Sequence, residues 1–178
     1  MSVREDRLAN DYKALRDLCL FSQPVKIKIL EARGNPPEYY RIKISNCKGI
    51  ESVSGDTPKY RTEHILLVGN FPAGYSDPGQ LPDVRAETPL FHPNVYPEGS
   101  FKPRGTFCFQ GSDINTVDEP LDALVKRIIS MIQYKNRRYG VPANGTARDW
   151  AERNQRLLDQ LTSSSDGSSQ SRPKPKWK

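Results

Sequence analysis

The chain has 178 residues, a length that suits one domain of ordinary size. Its 27 basic and 21 acidic side chains leave a formal net charge of +6, and residues 163–178 hold four basic groups and one acid, so +3 of that surplus lies there. Because the rest of the chain is nearly balanced, nucleic acid is not an expected partner. The longest aliphatic run, residues 65–68, is too short to span a membrane, so no membrane partner is expected either.

The first third of the chain combines a helical pattern with a strand pattern. Apolar residues at positions 8, 12, 15 and 18 predict a helix over residues 4–20. Apolar residues then alternate with lysine or arginine in residues 25–29 and 40–44, which predicts two antiparallel strands joined by a turn at residues 34–37. A third, more central strand is predicted over residues 60–68.

The middle third is rich in proline, and the last third returns to helical spacing. Seven prolines between positions 72 and 103 predict loops and edge-like extended chain. A broad apolar stripe after Pro120 predicts a helix over residues 121–132. A further helix is predicted to begin at Thr146, with the threonine hydroxyl as its cap.

Strands followed by helices indicate an α+β domain over residues 1–161. We expect an N-terminal helix, a four-stranded antiparallel meander, the proline-rich passage and C-terminal helices. Residues 162–178 contain six serines and a basic end, and they carry too few apolar side chains to fold. We therefore expect this segment to be a disordered, Ser-rich and basic tail.

The motifs of most enzyme classes are missing from this sequence. It contains no Gly-x-Ser-x-Gly, no phosphate-binding glycine loop and no His-Glu-x-x-His, which excludes common hydrolase, kinase and metalloprotease designs. Neither a metal nor a cofactor is expected. Of the two histidines, His64 lies in a strand pattern and is interpreted as structural.

The three cysteines are odd in number and far apart, so they form neither a disulfide framework nor a zinc pattern. Free cysteines together with an N-terminus that lacks an apolar signal stretch predict a cytoplasmic protein. Cys19 and Cys47 are interpreted as small buried hydrophobes. Composition alone gives Cys108 the same interpretation, and only its setting changes that view.

The order of motifs around Cys108 resembles that of ubiquitin-conjugating enzymes. The specific part is His92-Pro93-Asn94, followed by Cys108 and an aliphatic helix. The resemblance covers roughly residues 4–161. Its other similarities are, in chain order, residues 7–15, Phe71-Pro72, Tyr75, Pro78, Pro82, Pro142-Ala143-Asn144 and residues 147–150.

The resemblance implies that Cys108 accepts the C-terminal carboxyl of a ubiquitin-like protein as a thioester and passes it to a lysine or a ligase. Because a thioester is already activated, positioning and oxyanion stabilisation matter more than a strong base. Asn94 matches the asparagine whose amide either stabilises the oxyanion or pins the turn after Pro93. His92 would brace that turn, and Asn144 is a positional match beside the site.

The resemblance also implies partners: a ubiquitin-like modifier, an activating enzyme, a ligase and protein substrates. The family docks its activating enzyme on basic residues of the first helix. The matching basic residues here are Arg4, Arg7, Lys13 and Arg16.

The divergence of the sequence suggests a distant branch of the family, such as a bacterial ubiquitin-like conjugation system.

Three features depart from the family pattern. The interval from Asn94 to Cys108 is long, although an insertion in a hairpin can leave both ends in place. No tryptophan follows Cys108 before the next helix, and residues 136–140 lack the acid that often helps to deprotonate the incoming lysine.

Two alternatives stay open beside the enzyme hypothesis. One is a catalytically inactive variant of the same fold that binds a modifier or a partner enzyme. The other is an adaptor that binds acidic partners through its basic tail. Since fold does not fix function, Cys108 separates the first alternative from the enzyme, and the tail separates the second.

Overall fold

A computed structural model describes residues 1–21, 24–110 and 119–165 of the chain. Within these residues the order of elements is helix, six strands, then three helices. Among the described residues, no helix is long and apolar enough to cross a membrane. The elements are α1 (Val3–Phe21), β1 (Lys26–Gly34), β2 (Pro37–Ser45), β3 (Gly49–Ser54), β4 (Thr57–Arg61), β5 (His64–Gly69), β6 (Asp83–Ala86), α2 (Leu121–Ile132), α3 (Gly145–Arg153) and α4 (Gln155–Ser165).

The main sheet has four antiparallel strands in the order β1-β2-β5-β6. Strand β2 follows the predicted alternation, since Tyr40, Ile42 and Ile44 are fully buried. Ile42 pairs with Ile29 on one side and Leu66 on the other. Helices α1 and α2 pack against each other, and side chains from both helices and from the sheet form the larger core cluster. The expected α+β architecture with an antiparallel four-stranded sheet is thus confirmed.

The predicted third strand was wrong in its bounds. Residues 60–68 belong to two strands: β4 ends at Arg61, and β5 begins at His64 in a different sheet. Strand β4 pairs with β3, which the prediction missed, and the two form a separate hairpin inserted into the meander. Gly55, at φ +60°, makes its turn. A long-range pairing decides this division, so a local apolar run could not reveal it.

The proline-rich passage is loop and short extended chain, as predicted. Its one strand, β6, pairs with β5 on one side. On the other side β6 meets the chain just before Cys108, through a bridge between Arg85 and Thr106. This contact attaches the segment that carries Cys108 to the edge of the main sheet.

The C-terminal helices form the second core cluster with the β3–β4 hairpin. Trp150, Leu158 and Leu161 are buried there with Ile50. The single predicted helix is divided at Asn154, which leaves the helical backbone angles at φ −113° and whose side-chain amide and backbone N–H both donate to Trp150 O, at 2.9 Å and 3.0 Å. Side chains of both helices contribute to the cluster on the hairpin.

Two C-terminal predictions need correction. The cap of α3 is Asn144, whose Oδ1 accepts from Ala147 N at 3.0 Å, and Thr146 lies inside the helix. Asparagine reaches the N3 amide from the residue before the helix, which a hydroxyl inside the first turn cannot do. Helix α4 continues to Ser165, so residues 162–165, which the prediction placed in the disordered tail, are helical. The rest of the tail, residues 166–178, lies outside the described residues.

Candidate active site

The backbone brings Asn94 and Cys108 side by side in spite of the long interval between them. Cys108 N donates to Asn94 O at 2.7 Å, and Val95 forms an antiparallel bridge with Phe107. Tyr96 N donates to Thr106 O at 2.9 Å. The additional residues therefore loop out beyond these pairs. We call residues 95–107 the inserted hairpin.

Glycine at position 105 allows the inserted hairpin to lie against β6. Gly105 N donates to Tyr96 O, and Gly105 O accepts from Ala86 N at 2.8 Å. Its φ is +87°, and a Cβ at this position would overlap Ala86 O. A residue with a side chain would push the hairpin off the sheet edge. Gly105 is thus a residue on which the position of Cys108 depends, and the sequence analysis did not single it out.

The side chain of Asn94 joins the hairpin to the loop that precedes α3. It is 1% exposed. Its Nδ2 donates to Cys108 O at 3.2 Å and to Tyr139 O. An amide nitrogen has two hydrogens, so both donors are occupied by backbone carbonyls. In this arrangement Asn94 holds two segments together next to Cys108.

His92 and Pro93 lie in the turn that leads to Asn94, and both accept backbone hydrogen bonds there. His92 is fully buried, and its Nδ1 accepts from Asn94 N at 3.0 Å. Burial lowers the pKa of His92 to about 3, so its imidazole ring is neutral at ordinary pH. Pro93 O accepts from Ala143 N at 2.8 Å and from Asn144 N at 3.0 Å.

Asn144 supports the site from the other side of this turn. Its backbone binds Pro93 O, while its side chain caps α3. The start of α3 is therefore fixed to the turn before Asn94. The structure brings together five of the predicted site residues: His92, Pro93, Asn94, Cys108 and Asn144.

The Cys108 thiol is half-buried and faces a groove of about 360 Å³. Its Sγ lies 3.9 Å from Val141 O. The groove is lined by residues 79–84, by residues 106–110, and by Tyr96 and Lys102 of the inserted hairpin. We call this the Cys108 groove. A second, larger cavity of about 650 Å³ lies between α1, β1 and α2, and it shares no lining residue with the Cys108 groove.

The other two cysteines occupy core positions. Cys47 is completely buried, and desolvation raises the pKa of its thiol to about 12. Cys19 is half-buried against the larger core cluster, and desolvation raises the pKa of its thiol as well. Because thiolate is the reactive form, neither is suited to nucleophilic chemistry. The interpretation of Cys47 as a buried hydrophobe is confirmed.

His64 is structural, as interpreted from the sequence. It is fully buried in β5, and its Nε2 donates to Cys47 O at 2.9 Å. Desolvation lowers its pKa. Among the described residues, no group of three or more His, Cys, Asp or Glu side chains is placed to hold a metal ion.

Two of the four basic residues expected to dock an activating enzyme have partners within the chain. Arg4 donates to Pro72 O at 3.0 Å and to Glu38 at 2.6 Å. Arg7 binds Asp11 at 3.1 Å and Glu119 O at 2.5 Å. These contacts tie α1 to the proline-rich passage and to the start of α2, so both side chains support the fold.

Lys13 and Arg16 are the outward-facing members of the set. Both are exposed on α1, and the Arg16 guanidinium lies 5.7 Å from the centroid of the Tyr12 ring. The docking role stays a prediction, and it now concerns these two residues.

Sequence reasoning missed a buried polar cluster that orients the proline-rich passage. Asp11 is 2% exposed, and it accepts from Tyr75 Oη at 2.6 Å and from Leu121 N at 3.1 Å. Its i,i+4 spacing from Arg7 was a visible signal.

Tyr96 was also missed. Burial raises its pKa, interaction with Cys108 raises it further, and Tyr96 lines the same groove as Cys108.

Of three comparisons with known proteins, the one with solved structures finds matches. No protein-family profile matches the chain, and no curated protein matches it. Among solved structures, 17 chains match. One is a Trypanosoma cruzi protein assigned as a ubiquitin conjugating enzyme, with 22% identity and a TM-score of 0.55 over 88% of this chain and 96% of that one. The chain therefore has the α+β fold of ubiquitin-conjugating enzymes.

Proposed function

We propose that this chain is a conjugating enzyme for a ubiquitin-like protein and that Cys108 carries the modifier as a thioester. One observation carries the proposal. The Cys108 thiol faces an open groove while its backbone is fixed to Asn94 at 2.7 Å, in spite of the inserted hairpin. The shared fold supports it. Neither the inactive-variant nor the tail-adaptor alternative is favoured by the geometry around Cys108.

The chemistry requires a thiolate and an activated acyl group. An activating enzyme, which uses ATP to activate the modifier's C-terminal carboxyl, presents it as a thioester. Cys108 Sγ attacks the carbonyl carbon, a new C–S bond forms, and the activating enzyme's thiolate leaves with the electron pair. In the second step a deprotonated lysine amine attacks the same carbon. The C–N bond forms, the bond to Cys108 Sγ breaks, and one proton passes from nitrogen to the sulfur.

The hydrogen bonds of Asn94 distinguish between its two possible roles. To stabilise an oxyanion, one N–H must leave Cys108 O or Tyr139 O and turn to the thioester oxygen. A positioning role requires both bonds to stay. We propose that Asn94 acts first as a positioning residue that keeps the loop of residues 139–141 beside the thiol.

The expected partners follow from the proposed reaction: a ubiquitin-like modifier, an activating enzyme, a ligase and protein substrates. The exposed face of α1 around Lys13 and Arg16 is the proposed contact for the activating enzyme. Membership of a bacterial conjugation system stays a prediction.

The decisive experiment is a charging assay with the cognate activating enzyme, ATP and modifier. The wild-type chain should form an adduct that thiol reductants release. Cys108→Ser should form a reductant-resistant oxyester or no adduct at all. Cys19→Ser and Cys47→Ala serve as matched controls and should charge like the wild type. A Cys108→Ser chain that still carried a labile adduct would refute the proposal, and failure of the wild type to charge would indicate an inactive variant.

Asn94→Ala separates the two roles of the asparagine. A pure oxyanion donor would leave charging unchanged and slow only the discharge to lysine, because the tetrahedral oxyanion of that step is what it would stabilise. A positioning residue would slow both steps, and its loss would also lower the free energy of unfolding by about 1–3 kcal/mol through the two lost hydrogen bonds. Charging rates together with urea unfolding distinguish these results.

A further inference from the structure

The cavity of about 650 Å³ between α1, β1 and α2 takes no part in the chemistry proposed for Cys108. Its apolar walls come from all three elements: Leu18, Phe21, Val25, Ile27 and Ile129. Phe21 is 79% exposed, and its neighbour Leu20 is 75% exposed. Adjacent exposed apolar side chains at a cavity are typical of a binding surface. The volume is also within the range of ligand pockets, about 300–1,000 Å³.

The polar rim of this cavity is negative. Asp17 and Asp122 line it, and Lys126, the one cation among its described lining residues, lies 3.5 Å from Asp122. Two helices also end at the cavity, since Phe21 of α1 and Ser130 of α2 belong to the last turns, and neither last turn contains a basic residue. The C-terminal carbonyls of a helix carry a partial negative charge that cations stabilise. The cavity therefore favours an occupant that is both apolar and basic.

Residues 172–178 of the same chain combine these two properties. They read Arg-Pro-Lys-Pro-Lys-Trp-Lys, with four cations, no acid and one aromatic side chain, Trp177. The two prolines restrict the backbone, so less conformational entropy is lost when the segment docks. Burial of one indole does not require the rest of the tail to fold, so the low apolar content of the tail is no obstacle.

The chain beyond α4 is long enough to reach the cavity. Helix α4 ends at Ser165, and Trp177 follows twelve residues later. Near that end Leu161 packs in the cluster that contains Ile50, and the strand of Ile50 begins beside Ile132, the last residue of α2. Twelve extended residues span about 40 Å, roughly the diameter of a domain of this size. A tether of this length holds the segment at an effective concentration of about 1 mM, so even weak docking is populated.

We propose that residues 172–178 dock on this cavity within the same chain, with the Trp177 indole between the apolar walls and the neighbouring lysines beside Asp17 and Asp122. The inference does not rest on the proposed function, and its test needs no charging reaction. It gives the basic end of the chain a binding site on its own domain, in place of the acidic partner that the tail-adaptor alternative requires.

The test measures the fluorescence of Trp177 in the full-length protein. The chain contains two tryptophans, and the other, Trp150, is 1% exposed. Subtracting the signal of Trp177→Phe from that of the wild type isolates the emission of Trp177. Quenching by acrylamide, which is uncharged, then reports how exposed the indole is. A free peptide of residues 166–178 is the reference for an undocked indole.

A segment tethered at about 1 mM that binds with a Kd of about 0.3 mM is docked about three quarters of the time, so quenching of Trp177 should be about fourfold weaker than in the peptide. Asp17→Lys and Phe21→Ser should each restore quenching toward the peptide value. The matched controls are Asp6→Lys and Phe101→Ser, which change an exposed acid of the same helix and an exposed aromatic residue away from the cavity. Both controls should behave like the wild type, and high salt should weaken the protection.

Three results would overturn the inference. Quenching as strong in the full-length protein as in the peptide would show that Trp177 does not dock. Protection that neither Asp17→Lys nor Phe21→Ser reduces would place the segment elsewhere on the molecule. Protection that increases with protein concentration would mean that the segment docks on a second copy of the chain and not on its own domain.

Discussion

Two regions of this molecule pair a cysteine with a nearby histidine, and they treat the thiol in opposite ways. In the interior, His64 donates to Cys47 O at 2.9 Å, and both residues are completely buried. At the groove, His92 accepts from Asn94 N, and Asn94 in turn contacts Cys108 O. Both histidines are buried and hydrogen-bonded to the backbone, so the histidines do not distinguish the two regions. The regions differ in the exposure of the thiol.

The difference arises from what surrounds each sulfur. Cys47 is part of the larger core cluster, where desolvation raises the pKa of its thiol to about 12. Cys108 is held through its backbone N–H and C=O, so its side chain is not needed for packing and can face the groove. Support through backbone hydrogen bonds is thus what permits an ordered thiol to be open.

The largest expected effect is on thiol labelling. With iodoacetamide under native conditions, Cys108 should be alkylated first, Cys19 more slowly and Cys47 last. Because Cys47 reacts only after unfolding, its rate should be at least about 1,000-fold lower than that of Cys108. Peptide mapping by mass spectrometry measures each site. Comparable native rates at Cys47 and Cys108 would contradict the contrast between the two regions.

Substitution of Gly105 tests the backbone support of the groove. Gly105→Ala combines a φ of +87° with an overlap on the backbone oxygen of Ala86, which cannot move easily. We expect a loss of about 3 kcal/mol or more in the free energy of unfolding. Gly99 is the matched control in the same hairpin, since its φ is +80° and nothing lies within 4 Å of an added Cβ. Gly99→Ala should cost only about 1 kcal/mol. Urea unfolding compares the two.

The same experiment extends to the interior region. A Cβ at Gly49 would lie 2.7 Å from Ile132 Cγ2 and 3.1 Å from His64 Cε1, which are side-chain atoms. Side chains can shift more than backbone, so Gly49→Ala should cost less than Gly105→Ala, about 1–3 kcal/mol. A larger loss at Gly49 than at Gly105 would mean that the interior, and not the hairpin, is the more rigid support.

Acidification should destabilise the protein through its buried histidines. The pKa of His92 falls from 6.5 to about 3 on folding, so between these pH values the unfolded chain binds a proton that the folded chain does not. Stability therefore decreases as pH is lowered through this window, by up to about 1.4 kcal/mol per pH unit for one histidine. The lowered pKa of His64 acts in the same direction.

Urea unfolding at several pH values measures this slope. His92→Gln should be less stable at neutral pH and show a shallower loss on acidification. His64→Gln should flatten the slope as well, since burial also lowers the pKa of His64. A slope unaffected by either substitution would assign the acid sensitivity to other groups.

The smallest effect expected is at the cap of α3. Asn144→Ala removes the hydrogen bond from Ala147 N and should cost about 1 kcal/mol. Thr146→Ala should change stability by no more than about 0.5 kcal/mol, because its hydroxyl does not cap the helix. The reverse order in thermal or urea unfolding would restore Thr146 as the cap.

The sequence was most informative where local periodicity or a short motif carries the signal. The spacing of Leu8 and Leu15 located α1, the alternation in β1 and β2 located the hairpin, and the stripe after Pro120 located α2. His92-Pro93-Asn94 with a later cysteine indicated the site before any distance was known. These features depend on neighbours a few residues apart, and such neighbours are visible in one dimension.

Contacts between distant residues decided the rest. Three outcomes depend on partners or backbone angles that no local pattern specifies. Residues 60–68 are divided between two sheets, and Arg7 binds Asp11 and Glu119. Asn144, and not Thr146, caps α3. The same is true of the site. The sequence by itself identified Cys108 and Asn94, but their adjacency comes from the pairing of the two arms of the inserted hairpin, and its attachment to β6 fixes where the thiol lies. Strand register is a long-range property, because one residue of slip would turn each of these side chains to the other face.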